Sequence, residues 1–217
     1  MFWKKVNRGL ILGAALLIFL IGFIVVKEVS FEKETPLIKE NVESYLSDLF
    51  KLQCNVDGEL EKELSTESKE AQKTKFNQLL KDYWYGNLPT DEYNGYGVSE
   101  TRQYYDEYLE GIVTVLFSSA EVRFSESETS VRKDGPDRAI VTISADVRTT
   151  YRGDGSQLFY GSNVYQGYYY GYDAQTYTGI LHLEGMRFEM QRVNREWKIV
   201  GFIPGYAYES ERVEKGE

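Results

Sequence analysis

Eighteen residues, Gly9 to Val26, run without one polar side chain between a short basic head and a long acidic chain. At about 1.5 Å per residue, a helix of that length spans roughly 27 Å, close to one hydrocarbon thickness. Apolar on every face, the run reads as a membrane-spanning helix rather than one side of a soluble core. Lys4, Lys5 and Arg8 precede it, and the first acidic residue is Glu28. By the positive-inside rule, residues 1–8 stay cytoplasmic and everything after Val26 lies outside the plasma membrane. A cleaved secretory signal is the competing reading. The core is longer than a usual signal core, and its exit, Val25-Val26-Lys27-Glu28-Val29, has no small-x-small cleavage site. The uncleaved, single-pass anchor is therefore preferred.

The chain has 25 Lys and Arg against 34 Asp and Glu. Four of the basic residues (Lys4, Lys5, Arg8, Lys27) fall in the first 27, with no acid, so the remainder carries a formal net charge of −13. That charge argues against nucleic acid or an anionic lipid surface as a partner, because both reward positive charge. About 190 residues suffice for one domain with its own core. Cys54 is the single cysteine, so no internal disulfide forms, and no Asn-x-Ser/Thr acceptor occurs. Both features lean towards a bacterial envelope protein.

Residues 27–35 are polar and read as a stalk. Thr35-Pro36 then gives a helix start, with Thr as N-cap and Pro at the first helical position. Ile38, Val42, Tyr45, Leu46, Leu49 and Phe50 recur at helical spacing until Asp57-Gly58. Leu60, Leu64, Ala71, Phe76, Leu79, Leu80 and Tyr83 mark a second helical region, whose polar middle, Ser65 to Lys69, allows two helices. A loop over residues 86–97 precedes a third helix, capped by Ser99, with Tyr105, Tyr108, Leu109, Ile112, Val113 and Leu116 turned inward.

After that the period changes to two. Ala120, Val122 and Phe124 alternate with charged residues, and Ala139, Val141, Ile143, Ala145 and Val147 form a half-buried strand beyond a turn at Asp134-Gly135-Pro136. Gly179–Val193 and Trp197–Phe202 are two more strands, joined at Asn194-Arg195. Gly185 marks a bulge or bend in the first of them. Helices followed by antiparallel strands make an α+β chain, and residues 205–217 read as a fraying charged tail.

Three amphipathic helices ahead of a curved antiparallel sheet resemble the nuclear-transport-factor-2-like, or cystatin-like roll, superfamily. The closing hairpin, Phe188-Glu-Met-Gln-Arg-Val-Asn-Arg-Glu-Trp-Lys-Ile-Val-Gly-Phe202, carries most of that resemblance. It covers residues 36–204 and implies helices packed on the concave side of one sheet. With the anchor added, the architecture resembles the bitopic scaffold proteins of conjugation and type IV secretion systems in Gram-positive bacteria. That resemblance implies an assembly protein that binds other envelope proteins and forms homo-oligomers. An Asn-Pro-x-Gly motif, found in Gram-negative members, is absent.

Little in the chain points to catalysis. Cys54 ends an amphipathic helix, where a lone Cys is usually packing, and His182 sits in a strand between Leu181 and Leu183. One His and one Cys do not furnish a typical zinc site. Glu59, Glu61, Glu63 and Glu67 read as a solvated helix face, and Gly153-Asp-Gly155 lacks the strand, helix and Lys of a phosphate loop. Roll-fold enzymes place Asp, His or Tyr in a cone-shaped pocket, and by that analogy Asp146, His182 or Tyr105 would serve, although alternation turns Asp146 to solvent. No catalytic residue, metal ligand or cofactor is assigned.

The distinctive segment is 151–178, with Tyr151, Tyr160, Tyr165, Tyr168, Tyr169, Tyr170, Tyr172 and Tyr177 among five glycines. Binding loops use this mixture, because Tyr offers broad amphipathic contact at small entropic cost and Gly adapts the backbone. Tyr160, Tyr165, Tyr168, Tyr169, Tyr170 and Tyr172 are the candidate binding residues. A structural hairpin and a low-complexity insertion are the other readings. Gly9 and Gly13 form a Gly-x-x-x-Gly pair suited to helix packing in the membrane, although Gly is common in such helices anyway. The expected protein is a membrane-anchored extracytoplasmic scaffold or partner-binding module. Its alternatives are a cell-surface module for a protein, peptide or wall glycan, and a roll-fold hydrolase or isomerase.

Overall fold

The computed structural model describes residues 8–54, 64–86, 95–111, 117–152, 158–160 and 175–214. The chain divides into two compact units, Met1–Leu37 and Ile38–Glu217. Helix α1 (Arg8–Leu52) contributes its first part to one unit and its second part to the other.

In the first unit, Leu12, Leu16, Phe19, Phe23 and Val26 are all at least half exposed. Among the described residues this is the one helix long and apolar enough to cross a membrane, and it fits a membrane anchor. The expected helix start at Thr35-Pro36 is corrected here: residues 27–35 are helical and Pro36 lies inside α1. Thr35 is not a cap. Its Oγ1 donates to the Phe31 carbonyl at 3.2 Å, a bond made within a continuing helix. Pro36 removes one ladder donor, and the flanking Glu and Lys residues are good helix formers on both sides of it.

The second unit is an α+β roll. From Ile38, the inner stripe of α1 is fully buried, Ile38, Val42, Tyr45, Leu46, Leu49 and Phe50 all having zero exposure. Helix α2 (Thr66–Tyr83) starts at Ser65, whose hydroxyl accepts the Ser68 N–H at 3.1 Å, so the polar stretch 65–69 is a capped start. Phe76, Leu79 and Leu80 are its buried face, whereas Ala71 is exposed. Helix α3 (Val98–Gly111) buries Thr101, Tyr105 and Leu109, and Ser99 lies inside it rather than at its cap. Leu60, Ile112, Val113, Leu116, Glu59, Glu61 and Glu63 lie outside the described residues, and Glu67 is in the exposed first turn of α2.

Among the described residues six strands follow: β1 (Phe117–Phe124), β2 (Ser130–Lys133), β3 (Arg138–Arg152), β4 (Thr176–Val193), β5 (Glu196–Ile203) and β6 (Tyr206–Glu214). β3 and β4 are long central strands, paired from Arg138↔Gln191 to Arg152↔Thr176. Both β1 and β2 pair with the outer edge of β3, and both β5 and β6 with the outer edge of β4. The sheet is thus four antiparallel ribbons whose outer two are each broken once. The Asp134-Gly135-Pro136 turn joins β2 to β3, not β1 to β3. The expected fraying tail is strand β6 as far as Glu214, held by pairs such as His182↔Tyr208. Tyr151 and Arg152 belong to β3, and Thr176, Tyr177 and Thr178 to β4, so the Tyr/Gly segment is shorter than its composition suggests.

The breaks line up across the sheet. Ile143 pairs Met186 but Ala145 pairs Leu183, so Glu184 and Gly185 together oppose Ser144. Gly185 supplies the left-handed conformation (φ +67°) that such a bulge needs, and its N–H donates to Ser144 Oγ at 3.1 Å. On one side, Ser125 N–H donates to the Ser144 carbonyl at 3.0 Å, where β1 gives way to a 3₁₀ turn (Glu126–Glu128) before β2. On the other side, Pro204-Gly205 carries the chain from β5 to β6 against the β4 bulge. The extra residue explains why inward residues of β4 run Leu181, Leu183, then Met186, Phe188, Met190. The β4–β5 hairpin turns at Asn194 and Arg195, both at positive φ (51° and 73°), the pattern of a type I′ turn.

The helices cover the inner face. Tyr45 meets Phe188 edge-on at 6.1 Å and Trp84 at 5.9 Å, and Asn41 Nδ2 donates to the Trp197 carbonyl at 3.2 Å. Trp84 and Tyr85 dock on β5, with Tyr85 N–H donating to the Ile199 carbonyl at 2.9 Å. Each fully buried Phe or Leu in this layer contributes about 1.5–3 kcal/mol.

A Cβ on Gly205 would run into the Glu184 carbonyl and the Gly185 backbone. Gly205→Ala is expected to lower stability by about 1–3 kcal/mol, measured as a fall in the urea midpoint of the full chain in maltoside micelles. An unchanged midpoint would show that the β5–β6 crossing is looser than described.

Candidate functional site

The site begins at the end of α1. Gln53 continues the buried stripe of Leu49 and Phe50, and its amide is a buried junction. Its Oε1 accepts the Phe159 N–H at 2.6 Å and the Tyr108 hydroxyl at 3.2 Å, while Nε2 donates to the Leu49 carbonyl at 3.2 Å. One side chain therefore holds residues 158–160 and α3 against α1. Phe159 is 1% exposed, edge-on to Tyr105 at 5.0 Å and to Phe76 at 5.7 Å. Tyr160 follows in the left-handed region (φ +65°), where a bulky residue is strained. Its ring lies 4.1 Å from Phe202 and 4.3 Å from Phe159, and its hydroxyl is 3.4 Å from that of Tyr45.

These residues form the wall of a cavity of about 440 Å³, in the usual range for small-ligand sites. α3 supplies Tyr104, Glu107 and Tyr108, β5 supplies Phe202, and the β5–β6 crossing supplies Pro204, Gly205 and Tyr206. Tyr96 closes one side. It exchanges two backbone hydrogen bonds with Phe202, at 2.7 and 2.9 Å, and stacks on Tyr104 at 5.7 Å. Glu107 is the one charged residue among the described residues lining the cavity, and it accepts from Gln103 Nε2 at 2.9 Å. Burial pushes the Tyr45, Tyr108 and Tyr160 hydroxyls well up from their ordinary value, so they stay neutral and act as hydrogen-bond groups.

Tyr160 is thus the candidate binding residue that the structure places at the cavity. Tyr165, Tyr168, Tyr169, Tyr170 and Tyr172 lie outside the described residues, as does Gly153-Asp-Gly155. Gly9 and Gly13 are in α1, and among the described residues nothing outside the helix's own backbone lies within 4 Å of a Cβ placed on Gly13. Tyr105, the analogy's pocket residue, is buried instead, stacked on Phe76 at 3.8 Å. Cys54 donates to the Phe50 carbonyl at 3.3 Å, and burial pushes its thiol up to about 12, which leaves it a poor nucleophile. Among the described residues no three His, Cys, Asp or Glu side chains are placed to hold a metal ion.

Asp146 and His182 come together on the outer face of the sheet. His182 Nδ1 is 2.7 Å from Asp146 Oδ1, its Nε2 is 2.5 Å from Ser210 Oγ, and its ring stacks on Tyr208 at 4.7 Å. The sequence of groups, carboxylate, imidazole, hydroxyl, is that of an activated serine. None of them lines the cavity; Asp146 and His182 are paired strand residues and Ser210 is a diagonal neighbour on β6, so they form a cross-strand ladder tying β3, β4 and β6.

The cavity residues had partial signals in the sequence. Gln53 falls on the buried helical stripe, where a polar residue needs partners. Tyr104 and Tyr105 are adjacent, so a helix must send them to different faces. Glu107 and Phe202 carried no signal beyond their elements.

No family model matches the sequence, and no curated protein matches it. Among solved structures, a hexachlorocyclohexane dehydrochlorinase aligns with 84% of this chain and 94% of its own, at 9% identity and a TM-score of 0.37.

On the inner side of β6, Glu209 accepts from the Tyr151 hydroxyl, near Arg212, which lies 3.7 Å over the Tyr177 ring. Burial raises the Glu209 carboxyl above its ordinary value, opposed by that hydrogen bond and by Arg212. A carboxyl that binds its proton more tightly when folded favours the fold at low pH, and this is lost as pH rises through its folded value. Glu209→Gln should therefore match or exceed the parent's stability at neutral pH. Solvent screening of this half-exposed group keeps the gain below about 1 kcal/mol. Its stability should also change less between about pH 4 and 7. Thermal unfolding at the two pH values checks this, and a variant that loses most at neutral pH would contradict it.

Proposed function

We propose that the protein is a membrane-anchored, extracytoplasmic binding module that captures a partner at the tyrosine-lined cavity and performs no chemistry of its own. The carrying observation is the cavity itself: an aromatic chamber that begins the Tyr/Gly-rich segment with a strained, ring-stacked Tyr160. Strain of this kind is retained where the surrounding structure demands it, and binding sites are its usual place. The basic head and apolar run orient the chain with its N-terminus inside, so the cavity faces outward. The tail, anchor and roll architecture makes a conjugation or type IV secretion-like assembly the first setting in which to seek the partner, and neighbouring envelope proteins or a second copy the first candidates.

A hydrolase reading draws on Asp146, His182 and Ser210. Those groups lie on the outer sheet face, apart from the residues that line the cavity, which favours the binding module.

Replacing Tyr168, Tyr169 and Tyr170 together with Ser is expected to leave thermal unfolding unchanged and to abolish in vivo cross-linking to the partner. A folded variant that keeps every cross-link would refute the recognition role. In the same cells, external protease should remove a C-terminal tag and spare an N-terminal one; the opposite pattern would reverse the topology.

A further inference from the structure

The cavity also carries information about what it accepts, and this inference rests on the binding role above. We infer that the cavity takes an organic cation, an ammonium or guanidinium group held over tyrosine faces and balanced by Glu107.

Charge selects this class. The cavity has one carboxylate and no Lys or Arg among its described lining residues. Burying an anionic group there would set like charge against Glu107 with nothing to offset it. The whole chain after the anchor carries the same sign, which raises the local concentration of cations.

Ring chemistry agrees with it. Aromatic faces attract cations through their quadrupole, and a chamber of several Tyr and Phe rings beside a carboxylate holds an alkylated ammonium without requiring a hydrogen-bond fork. Tyr104 is 43% exposed and stacked on Tyr96, so its ring is both ordered and reachable. The same domain already uses the interaction once, at Arg212 over Tyr177. Glu107 is exposed and bound by one Gln103 donor, which leaves acceptor capacity for an incoming cation.

Two sources supply such a group: a free alkylammonium compound, or a Lys or Arg side chain of a peptide. Calorimetric titration of the full chain in maltoside micelles separates them. Choline and its neutral carbon isostere, 3,3-dimethylbutanol, form the first pair. N-acetyl-lysine amide, N-acetyl-arginine amide and N-acetyl-norleucine amide form the second set. The cation of at least one set is expected to bind about tenfold more tightly than its neutral counterpart. Glu107→Gln and Tyr104→Leu, both at exposed positions, should remove about that factor for the cation and weaken the neutral probe less. Preference for choline identifies the free compound, and preference for the lysine or arginine amide identifies the peptide.

Equal binding of charged and neutral probes would overturn the cation assignment while leaving the binding role intact. An unaltered Glu107→Gln titration would overturn it too, as would no binding by any probe. Failure of the binding role is a separate result, read from cross-linking of the Tyr168, Tyr169 and Tyr170 variant.

Discussion

The second unit depends on one register break. Where Ser144 faces both Glu184 and Gly185, the two central strands lose a residue of alignment, and the sheet bends there rather than continuing flat. Two hydrogen bonds and one close approach go with it: Gly185 donates to Ser144 Oγ, Ser125 donates to the Ser144 carbonyl, and Gly205 of the β5–β6 crossing passes close to the Glu184 carbonyl. The bend brings Phe188 under Tyr45 of α1, and it delivers Pro204 and Gly205 to the cavity rim. Without the left-handed Gly185, β4 would keep a single alternation, and Leu183 and Met186 would face opposite sides.

Gln53 is the second organising group. A polar side chain on a buried stripe is costly unless satisfied, and here three partners converge on it. Because the partners belong to α1, α3 and the 158–160 segment, satisfying Gln53 also assembles the cavity wall. Tyr108 and Tyr160, whose hydroxyls burial keeps neutral, complete the chamber as hydrogen-bond groups.

Much of this was legible in the sequence. The buried stripe of α1 from Ile38 to Phe50, the Asn194-Arg195 turn and the Gly185 bend all follow from periodicity and glycine chemistry. The helix boundary near Thr35-Pro36 did not, because a local start signal was outweighed by helical residues on both sides of it. The tail was misread because β6 alternates Tyr206, Tyr208 and Ser210 outward among charges, and only the vacant edge of β4 makes that a strand. Of the cavity, Tyr160 was marked by composition. Tyr104, Glu107 and Phe202 meet only in three dimensions, from elements almost a hundred residues apart. Asp146 was expected on the solvent face, and its pairing with His182 came from strand register that no single strand encodes.

The interruptions in the two outer ribbons matter wherever copies of such a sheet are crowded together. An unbroken edge strand in that setting is a template for lateral growth of one sheet into the next. Among the described residues each flank is split into two shorter strands, the β1 side by a 3₁₀ turn and the β5 side by Pro204-Gly205. Each edge is thereby shortened as a template for backbone pairing between copies.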